Sequence, residues 1–310
     1  MAAGLHATRA ILSIPRQVLP GTFYMLTRRC TQRQFLLRPD RATNDTFLYC
    51  LAEAAQRFGI EVLLPSVLSN HHHTIVFDRA GRIVEFTEHL HKFVAKAMNA
   101  LRGRWENFWS SEPACLVRLV ERSDVLDKLV YAATNPVKDQ LVEKVHHWPG
   151  VNGLSALLNR RPLTIQRPRH FFRAAGPMPP EVTLELVIPP ELGNTDEIRQ
   201  VLRERVAFVE AELATTRGKT GVRILGRRAI SRQPWWGQPS SPARRGGVRP
   251  RVAARGLWPR LEAYLRNRDF VSSYREARER WRAGLAAVFP IGTYWLRRFA
   301  NVSVAAPIAN

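Results

Sequence analysis

The stretch Asn70-His71-His72-His73-Thr74-Ile75-Val76-Phe77 places three consecutive histidines at the start of an apolar run typical of a β-strand. Because alternate side chains of a strand point to opposite faces, His71 and His73 share one face and His72 lies on the other. Two imidazoles side by side on a rigid strand can form half of a metal site. The spacing alone leaves two interpretations open, a metal pair or a chance histidine run at a strand edge.

The composition limits the class of protein. The 310 residues, 45% of them apolar, suffice for one large or two ordinary packed domains. The formal net charge of +21 favours a polyanionic partner, most simply nucleic acid. Cys30, Cys50 and Cys115 form no CxxC pair, which is typical of reduced intracellular thiols. No signal peptide and no apolar run of roughly 18–20 residues occurs, so we expect a soluble, cytoplasmic, nucleoid-associated protein without membrane contact.

Apolar periodicity predicts the elements around the histidine strand. Their order over the first half is strand, helix, strand, strand, helix, strand, helix. This order predicts an α+β fold: a ferredoxin-like antiparallel sheet with helices on one face and the histidine strand in its middle. Thr43 or Asn44 is expected to cap the first helix, and Pro136 to end the last. The predicted segments are residues 22–29, 45–58, 60–67, 71–77, 83–103, 114–120 and 124–135.

Two of these helices carry candidate polar residues. Residues two apart on a helix do not face each other, so His89 and His91 are interpreted as surface residues and not as metal ligands. Tyr131 and Asn135 are four apart and therefore face one site together. The plain alternative for Tyr131 is a core tyrosine on an amphipathic helix.

Basic and aromatic residues flank the predicted sheet. Arg28, Arg29 and Arg33 lie at the exit of the first strand, where they either meet a phosphate backbone or form a solvated loop. The stretch Arg104-Trp105-Glu106-Asn107-Phe108-Trp109 combines rings with a positive charge, as a base-stacking platform requires. The alternative is that its tryptophans close the edge of the core.

The second half of the chain is more basic and less patterned. Residues 156–215 are interpreted as a connecting α/β segment. Residues 216–256 hold eleven Arg or Lys and no Asp or Glu, which predicts a flexible phosphate-binding linker or a solvated tail. Residues 257–310 are predicted as a mostly helical basic region. Its two helices, over 257–270 and 272–289, are the pair that a DNA-binding module would need.

Four stretches together resemble the HUH-type single-tyrosine transposases, in particular the REP-associated tyrosine transposases. The match covers roughly residues 18–155, so a transposase-like domain is assigned to residues 20–155 and a basic arm to residues 1–19. The sequence departs from the family's pattern at two places. His72 replaces an aliphatic residue, so we expect it to lie at a sheet edge or to pair with a helix residue. Asp139-Gln140 replaces a small residue. The matching stretches are Leu19 to Arg29, Leu68 to Val76, Tyr131 to Lys138, and Trp148-Pro149.

The resemblance implies an HUH endonuclease that cuts and rejoins single-stranded DNA of hairpin-forming or repetitive elements, in transposition and recombination. It implies that Tyr131 is the nucleophile, forming a 5′-phosphotyrosine intermediate, and that His71, His73 and Asn135 bind Mg²⁺ or Mn²⁺. A monomer and a homodimer both remain open. So do two other functions: an inactive relative that only binds single-stranded or hairpin nucleic acid, and a His-cluster metallohydrolase. The residues expected to contact nucleic acid are Arg28, Arg29, Arg33, Arg104, Trp105 and Lys138.

Overall fold

The computed structural model describes residues 15–242 and 250–306. Contacts between residues divide the chain into two compact units. The larger unit is Pro20–Arg260, and the described residues of the smaller unit are 15–19 and 261–306. Among the described residues, no helix combines the length and the apolar character needed to cross a membrane.

The elements follow the predicted order over the first half, β1-α1-β2-β3-α2-β4-α3, with bounds that differ by at most four residues. The strands are β1 (Thr22–Arg29), β2 (Ile60–Leu68), β3 (His71–Asp78), β4 (Cys115–Leu119), β5 (Leu163–Gln166), β6 (Glu181–Leu184), β7 (Val252–Ala253), β8 (Val288–Phe289) and β9 (Ser303–Val304). The helices are α1 (Arg41–Phe58), α2 (Ile83–Leu101), α3 (Arg122–Lys138), α4 (Leu154–Leu158), α5 (Thr195–Thr220), α6 (Arg227–Arg232), α7 (Leu257–Arg282) and α8 (Trp295–Ala300).

A five-stranded sheet with the order β2-β3-β1-β4-β7 lies in the larger unit. The histidine strand β3 is an interior strand, as predicted, because β2 and β1 pair with it on either side. These pairings and that of β1 with β4 are antiparallel, whereas β7 runs parallel to β4 and makes the sheet mixed. In the register of β1 with β3, Thr27 lies opposite His73, and Arg29 lies opposite His71.

Helices cover both faces of this sheet, so the prediction of helices on one face is wrong. The ring of His72 lies 5.1 Å from that of Phe47 in α1 and 5.2 Å from that of His91 in α2, between centroids. On the opposite face the ring of His73 lies 5.4 Å from that of Tyr131 in α3. Every residue of β3 after His71 is buried, and an interior strand buried on both faces needs a cover on each side.

Asp40 begins α1, which corrects the expectation of a cap at Thr43 or Asn44. The carboxylate of Asp40 accepts a hydrogen bond from the backbone N–H of Thr43 at 2.7 Å. An aspartate in this position satisfies a free donor of the first turn, so the helix starts four residues earlier than predicted. Gly59 ends α1 at φ 64°, in the left-handed region that glycine adopts without strain.

Pro136 lies inside α3, although it was predicted to end the helix. The helix continues to Lys138. A proline removes only its own N–H donor, and beyond it the N–H of Asp139 still donates to the carbonyl of Asn135 at 3.0 Å. The helix therefore gains most of a further turn, and Lys138 belongs to the same element as Tyr131.

The predicted transposase-like domain ends at residue 155 and the predicted connecting segment at residue 215. Both of these boundaries lie inside the larger unit. Over residues 216–256, predicted as a flexible linker, the described part contains the end of α5, all of α6 and β7. Residues 243–249 lie outside the described residues. The N–H of Arg255 donates to the Asp124 carboxylate at 2.8 Å, which ties this segment to α3. Composition did not reveal these contacts because they use backbone groups.

Over residues 257–306 the helices have other bounds than the two that were predicted. A single helix, α7, passes without a break through Val271, where the two predicted helices were separated. No glycine or proline occurs there to interrupt it. The end of the second predicted helix is instead β8, which pairs in parallel with β9. Phe289 is fully buried against Ala277 and Val302, and its ring lies 5.5 Å from that of Tyr274.

Candidate metal and tyrosine site

His71, His73 and Tyr131 meet on one face of the sheet. The two imidazole centroids are 4.9 Å apart, and the ring of Tyr131 lies 5.4 Å from that of His73. The histidines come from β3, and Tyr131 comes from α3, which packs across this face. The structure thus brings together three side chains that are up to 60 positions apart in the sequence.

Each imidazole of the pair has its Nδ1 atom held by a neighbouring oxygen. Thr27 Oγ1 lies 2.7 Å from His73 Nδ1, and Asn70 Oδ1 lies 2.7 Å from His71 Nδ1. Because an amide oxygen only accepts, Asn70 places the His71 proton on Nδ1 and leaves Nε2 with its lone pair. Nε2 of His73 is buried and has no hydrogen-bond partner among the described residues. Metal-binding histidines are held in this way, by a partner on the nitrogen that does not bind the metal.

Burial and nearby positive charge keep both imidazoles neutral. Burial, with smaller contributions from Arg29 and Arg33, lowers the pKa of His71 to about 4. Burial also holds the pKa of His73 well below its usual value, and neighbouring histidines and Lys128 act in the same direction. Divalent cations bind the neutral imidazole, so at neutral pH the pair is in the form that binds metal.

The donor set fits a divalent cation with mixed nitrogen and oxygen ligands. Asn135 lies one turn after Tyr131 in α3 and is 5% exposed, so the two residues share a helix face. Within residues 15–242 and 250–306, no three His, Cys, Asp or Glu side chains form a metal-binding group. Two imidazoles and an amide oxygen leave coordination positions for water or substrate oxygens, as Mg²⁺ and Mn²⁺ commonly require.

Tyr131 is flanked by two lysines and is 39% exposed. Lys128 Nζ lies 5.5 Å from the centroid of its ring, and Lys138 Nζ lies 5.2 Å from it. Burial, and to a lesser extent Asp139, raise the pKa of the Tyr131 phenol, which is therefore protonated at neutral pH. The sequence reading missed Lys128, although its position three residues before Tyr131 on a helix was available as a signal.

Arg28 and Arg29, the last two residues of β1, point to opposite faces of the sheet. Arg29 lies opposite His71 in the β1–β3 register, and it forms an ion pair with Glu112 at 3.8 Å. Arg33 also lies near enough to act on His71, and its guanidinium donates to Ser241. Arg28 lies opposite His72 and therefore faces away from Tyr131, with Cζ 5.5 Å from the Trp109 ring centroid.

The aromatic-basic loop after α2 divides its rings between the core and the surface. Trp109 is buried and donates its Nε1–H to the backbone oxygen of His91 at 2.9 Å. Trp105 is 89% exposed. Arg104 places Cζ 5.9 Å from the Trp235 ring centroid. Trp109 thus closes the core edge, and Trp105 is left available for stacking.

His72 forms a buried pair with His91, so the interpretation of His91 as a surface residue is wrong, whereas His89 is partly exposed. The two Nε2 atoms are 3.0 Å apart, and the residues are 0% and 2% exposed. His89 contacts the buried carboxylate of Glu53. The buried stripe of α2 is wide enough to include position 91, where a polar ring on β3 provides a partner. Because this pair lies on the opposite face, it leaves the His71–His73 pair intact.

No protein-family model and no curated protein matches the chain. Among solved structures, the chain is similar to a REP-associated tyrosine transposase bound to a REP hairpin. The identity is 18% and the TM-score 0.40, over 47% of this chain and 84% of that one. It is also similar to a provisionally assigned transposase from Deinococcus radiodurans R1, with 17% identity and a TM-score of 0.29 over 41% of this chain and 93% of that one. The likeness is partial, and both TM-scores are below 0.5.

Proposed function

We propose that this chain is a metal-dependent DNA strand transferase that uses a single tyrosine. The observation that carries the proposal is the meeting of Tyr131 with the paired imidazoles of His71 and His73 on one face of the sheet. We further propose that residues 20–155 form a ferredoxin-like core. The order β2-β3-β1-β4, with a helix after β1 and another after β3, supports this assignment.

The proposed substrate is a single DNA strand beside a hairpin or a repetitive element. The sequence motifs that resemble REP-associated tyrosine transposases suggest this class of substrate. The net charge of +21 suits a polyanion, because neutralising phosphates releases the counterions bound to DNA. Arg29 and Arg33 lie near the imidazole pair, where they would meet the phosphates on either side of the one that is attacked.

The proposed reaction is an attack of the Tyr131 phenolic oxygen on a phosphorus atom of the strand. The new bond joins this oxygen to phosphorus, and the bond from phosphorus to the 3′-oxygen breaks. The phenol releases its proton, and the departing 3′-oxygen takes up a proton. The 5′-phosphotyrosine conserves the energy of the phosphodiester, so a second 3′-hydroxyl can displace Tyr131 without ATP.

The charges around Tyr131 support this role. The phenol has a raised pKa in the free protein, so its anion must be favoured during the attack. The ammonium groups of Lys128 and Lys138, each within 6 Å of the ring centroid, favour a negative charge there. The same two cations attract the phosphates that flank the reacting one.

His71 and His73 would hold a divalent cation through their Nε2 atoms, with the amide oxygen of Asn135 as a third ligand. When bound, such a cation neutralises the charge that develops on the phosphoryl oxygens and on the departing 3′-oxygen. Thr27 and Asn70 orient the two rings through their Nδ1 atoms. Because these contacts occupy the Nδ1 atoms, Nε2 is the nitrogen of each ring that would bind the metal.

The experiment that tests this function is a covalent-adduct assay. The full-length protein is incubated with labelled hairpin oligonucleotides whose flanking bases are randomised, with Mn²⁺ or with EDTA, and is resolved in SDS. We expect a labelled band at the size of protein plus DNA, present with Mn²⁺ and absent with EDTA and in Tyr131→Phe. His72→Val is the matched control, since it changes the neighbouring histidine on the other face. A chain that binds these oligonucleotides and never forms the band would be a binding protein and not a transferase.

A further inference from the structure

We propose that a groove between α3 and α5 binds an unpaired nucleobase of the DNA strand that Tyr131 attacks. This inference rests on the proposed function, because it assigns a substrate contact next to the proposed nucleophile. The groove uses α5, a helix that lies outside the part of the sequence carrying the transposase resemblance.

The groove has a volume of about 490 Å³ and is mostly apolar. Pockets for small organic ligands commonly measure about 300–1,000 Å³, so one base with its sugar fits this space. Tyr131 is part of the wall, and the groove therefore begins where the candidate catalytic face ends. The other lining residues include Asp127, Lys138, Glu204, Arg205 and Phe208.

Phe208 provides the surface on which a base would stack. The buried face of α5 is formed by Ile198, Leu202 and Val206. Phe208 lies two residues beyond Val206, off this buried face, and is 63% exposed. It is therefore not needed to close the core. An exposed ring in the wall of a groove is the feature that single-strand-binding proteins use to hold bases of any sequence.

The charges at the groove favour a nucleotide over an apolar peptide or a lipid. Lys138 brings a positive charge to the edge shared with Tyr131, where a phosphate would lie. Asp127, which also lines the groove, is neutralised by an ion pair with Arg205 at 2.9 Å. Glu204 Oε1 accepts a hydrogen bond from Gln200 Nε2 at 2.7 Å, and the remaining lone pairs of this carboxylate can accept from an N–H group of a base. A cation at one end and an apolar wall behind it match a phosphate followed by a base.

The position of the groove gives it a role in the reaction. A strand whose phosphate meets the Tyr131 hydroxyl must place a neighbouring base beside the Tyr131 ring. Stacking this base on Phe208 would fix the strand along its length and would hold the reacting phosphate in line with the phenolic oxygen. Orientation of this kind is a major source of rate enhancement when two groups must meet in one geometry.

Photocrosslinking tests this inference without any need for strand cleavage. The full-length protein is bound to a 20-nucleotide oligo(dT) that carries 5-iodouracil, irradiated, digested with trypsin and examined by mass spectrometry. The tryptic peptide of residues 206–217 contains Phe208 as its sole aromatic residue. We expect this peptide to carry the crosslinked nucleotide, and Phe208→Ala to abolish the crosslink.

Affinity measurements with the same oligonucleotide complete the test. Stacking contributes about 1–3 kcal/mol per base, so we expect Phe208→Leu to raise Kd by about 5- to 160-fold, while Phe208→Tyr, which keeps a ring, stays near the wild-type value. Crosslinks confined to other peptides, or equal affinities of the Leu and Tyr variants, would overturn the assignment. If a second copy of the chain occupies the groove instead, the crosslinking and affinity results would be equally negative. The wild-type protein would then be a dimer, and Phe208→Leu would dissociate it. If the tyrosine adduct forms but this crosslink does not, the groove does not bind a base and the proposed function is unaffected. If the crosslink forms but the adduct does not, the groove binds a base and the chain is not a strand transferase.

Discussion

Replacing Thr27 with valine should weaken metal binding at a position that need not touch the metal. The Thr27 hydroxyl lies 2.7 Å from His73 Nδ1, and the imidazole is 5% exposed. Valine has a similar shape but no hydroxyl, so Nδ1 loses its partner in a place that water can hardly reach. The ring is then free to rotate and to exchange its proton between the two nitrogens.

The expected size of this effect follows from that geometry. A buried polar group left without a hydrogen-bond partner costs about 1–3 kcal/mol. Loss of the partner that orients a metal-binding histidine typically lowers metal affinity by about 10- to 100-fold, or about 1.4–2.7 kcal/mol. We therefore expect Thr27→Val to raise the Kd for Mn²⁺ by this factor and to lower the yield of the tyrosine adduct at limiting Mn²⁺.

Thr74→Val is the matched control. Thr74 Oγ1 lies 3.0 Å from His72 Nδ1, so the same substitution breaks the equivalent hydrogen bond on the opposite face of the same sheet. Isothermal titration with Mn²⁺ should give the wild-type Kd for Thr74→Val, and urea unfolding should show that both variants lose stability. Equal Mn²⁺ affinities in the wild type and Thr27→Val would refute the role of Thr27, and equal losses in both variants would reduce it to a general effect on folding.

Three further outcomes are expected. Lys128→Ala should lower the adduct rate more than it lowers DNA affinity, and Lys128→Arg should restore it; equal loss of both quantities would contradict a role near the phenol. Burial lowers the pKa of His72 to about 3, so as the pH falls the unfolded chain binds a proton at a higher pH than the folded chain does. The free energy of unfolding therefore decreases as the pH falls. The loss is about 1.4 kcal/mol per pH unit below about 6.5 for such a histidine, and urea unfolding should show a shallower pH slope in a His72→Val/His91→Leu variant. Asp40→Ala should destabilise the chain by about 0.5–2 kcal/mol through loss of the α1 cap, measured by thermal unfolding; an unchanged Tm would contradict the cap assignment.

The sequence predicted what depends on local pattern. The alternation around His71 and His73 gave the correct face for each histidine, because the side-chain period of a strand is fixed. Helical periodicity also predicted a helix that contains both Tyr131 and Asn135, which is α3. The order of elements followed from apolar periodicity, and this was enough to place the histidine strand inside the sheet.

The predictions that failed depend on contacts between distant segments. His91 was assigned to the surface because its partner, His72, lies on another element. Thr27 was missed because its contact with His73 is set by the register of two strands, which the sequence does not give. The composition of the arginine-rich segment before α7 likewise gave no sign that β7, within it, pairs with β4 through backbone groups.

Mass spectrometry of the reacted protein tests the central claim most directly. The wild-type chain is incubated with Mn²⁺ and a hairpin oligonucleotide nicked so that the fragment ending in the departing 3′-hydroxyl diffuses away, and is then digested with trypsin and nuclease. The account predicts that the peptide of residues 129–138 gains a nucleotide 5′-phosphate on Tyr131, and that EDTA prevents this gain. An unmodified peptide from DNA-bound protein, or a nucleotide attached to a different residue, would contradict it.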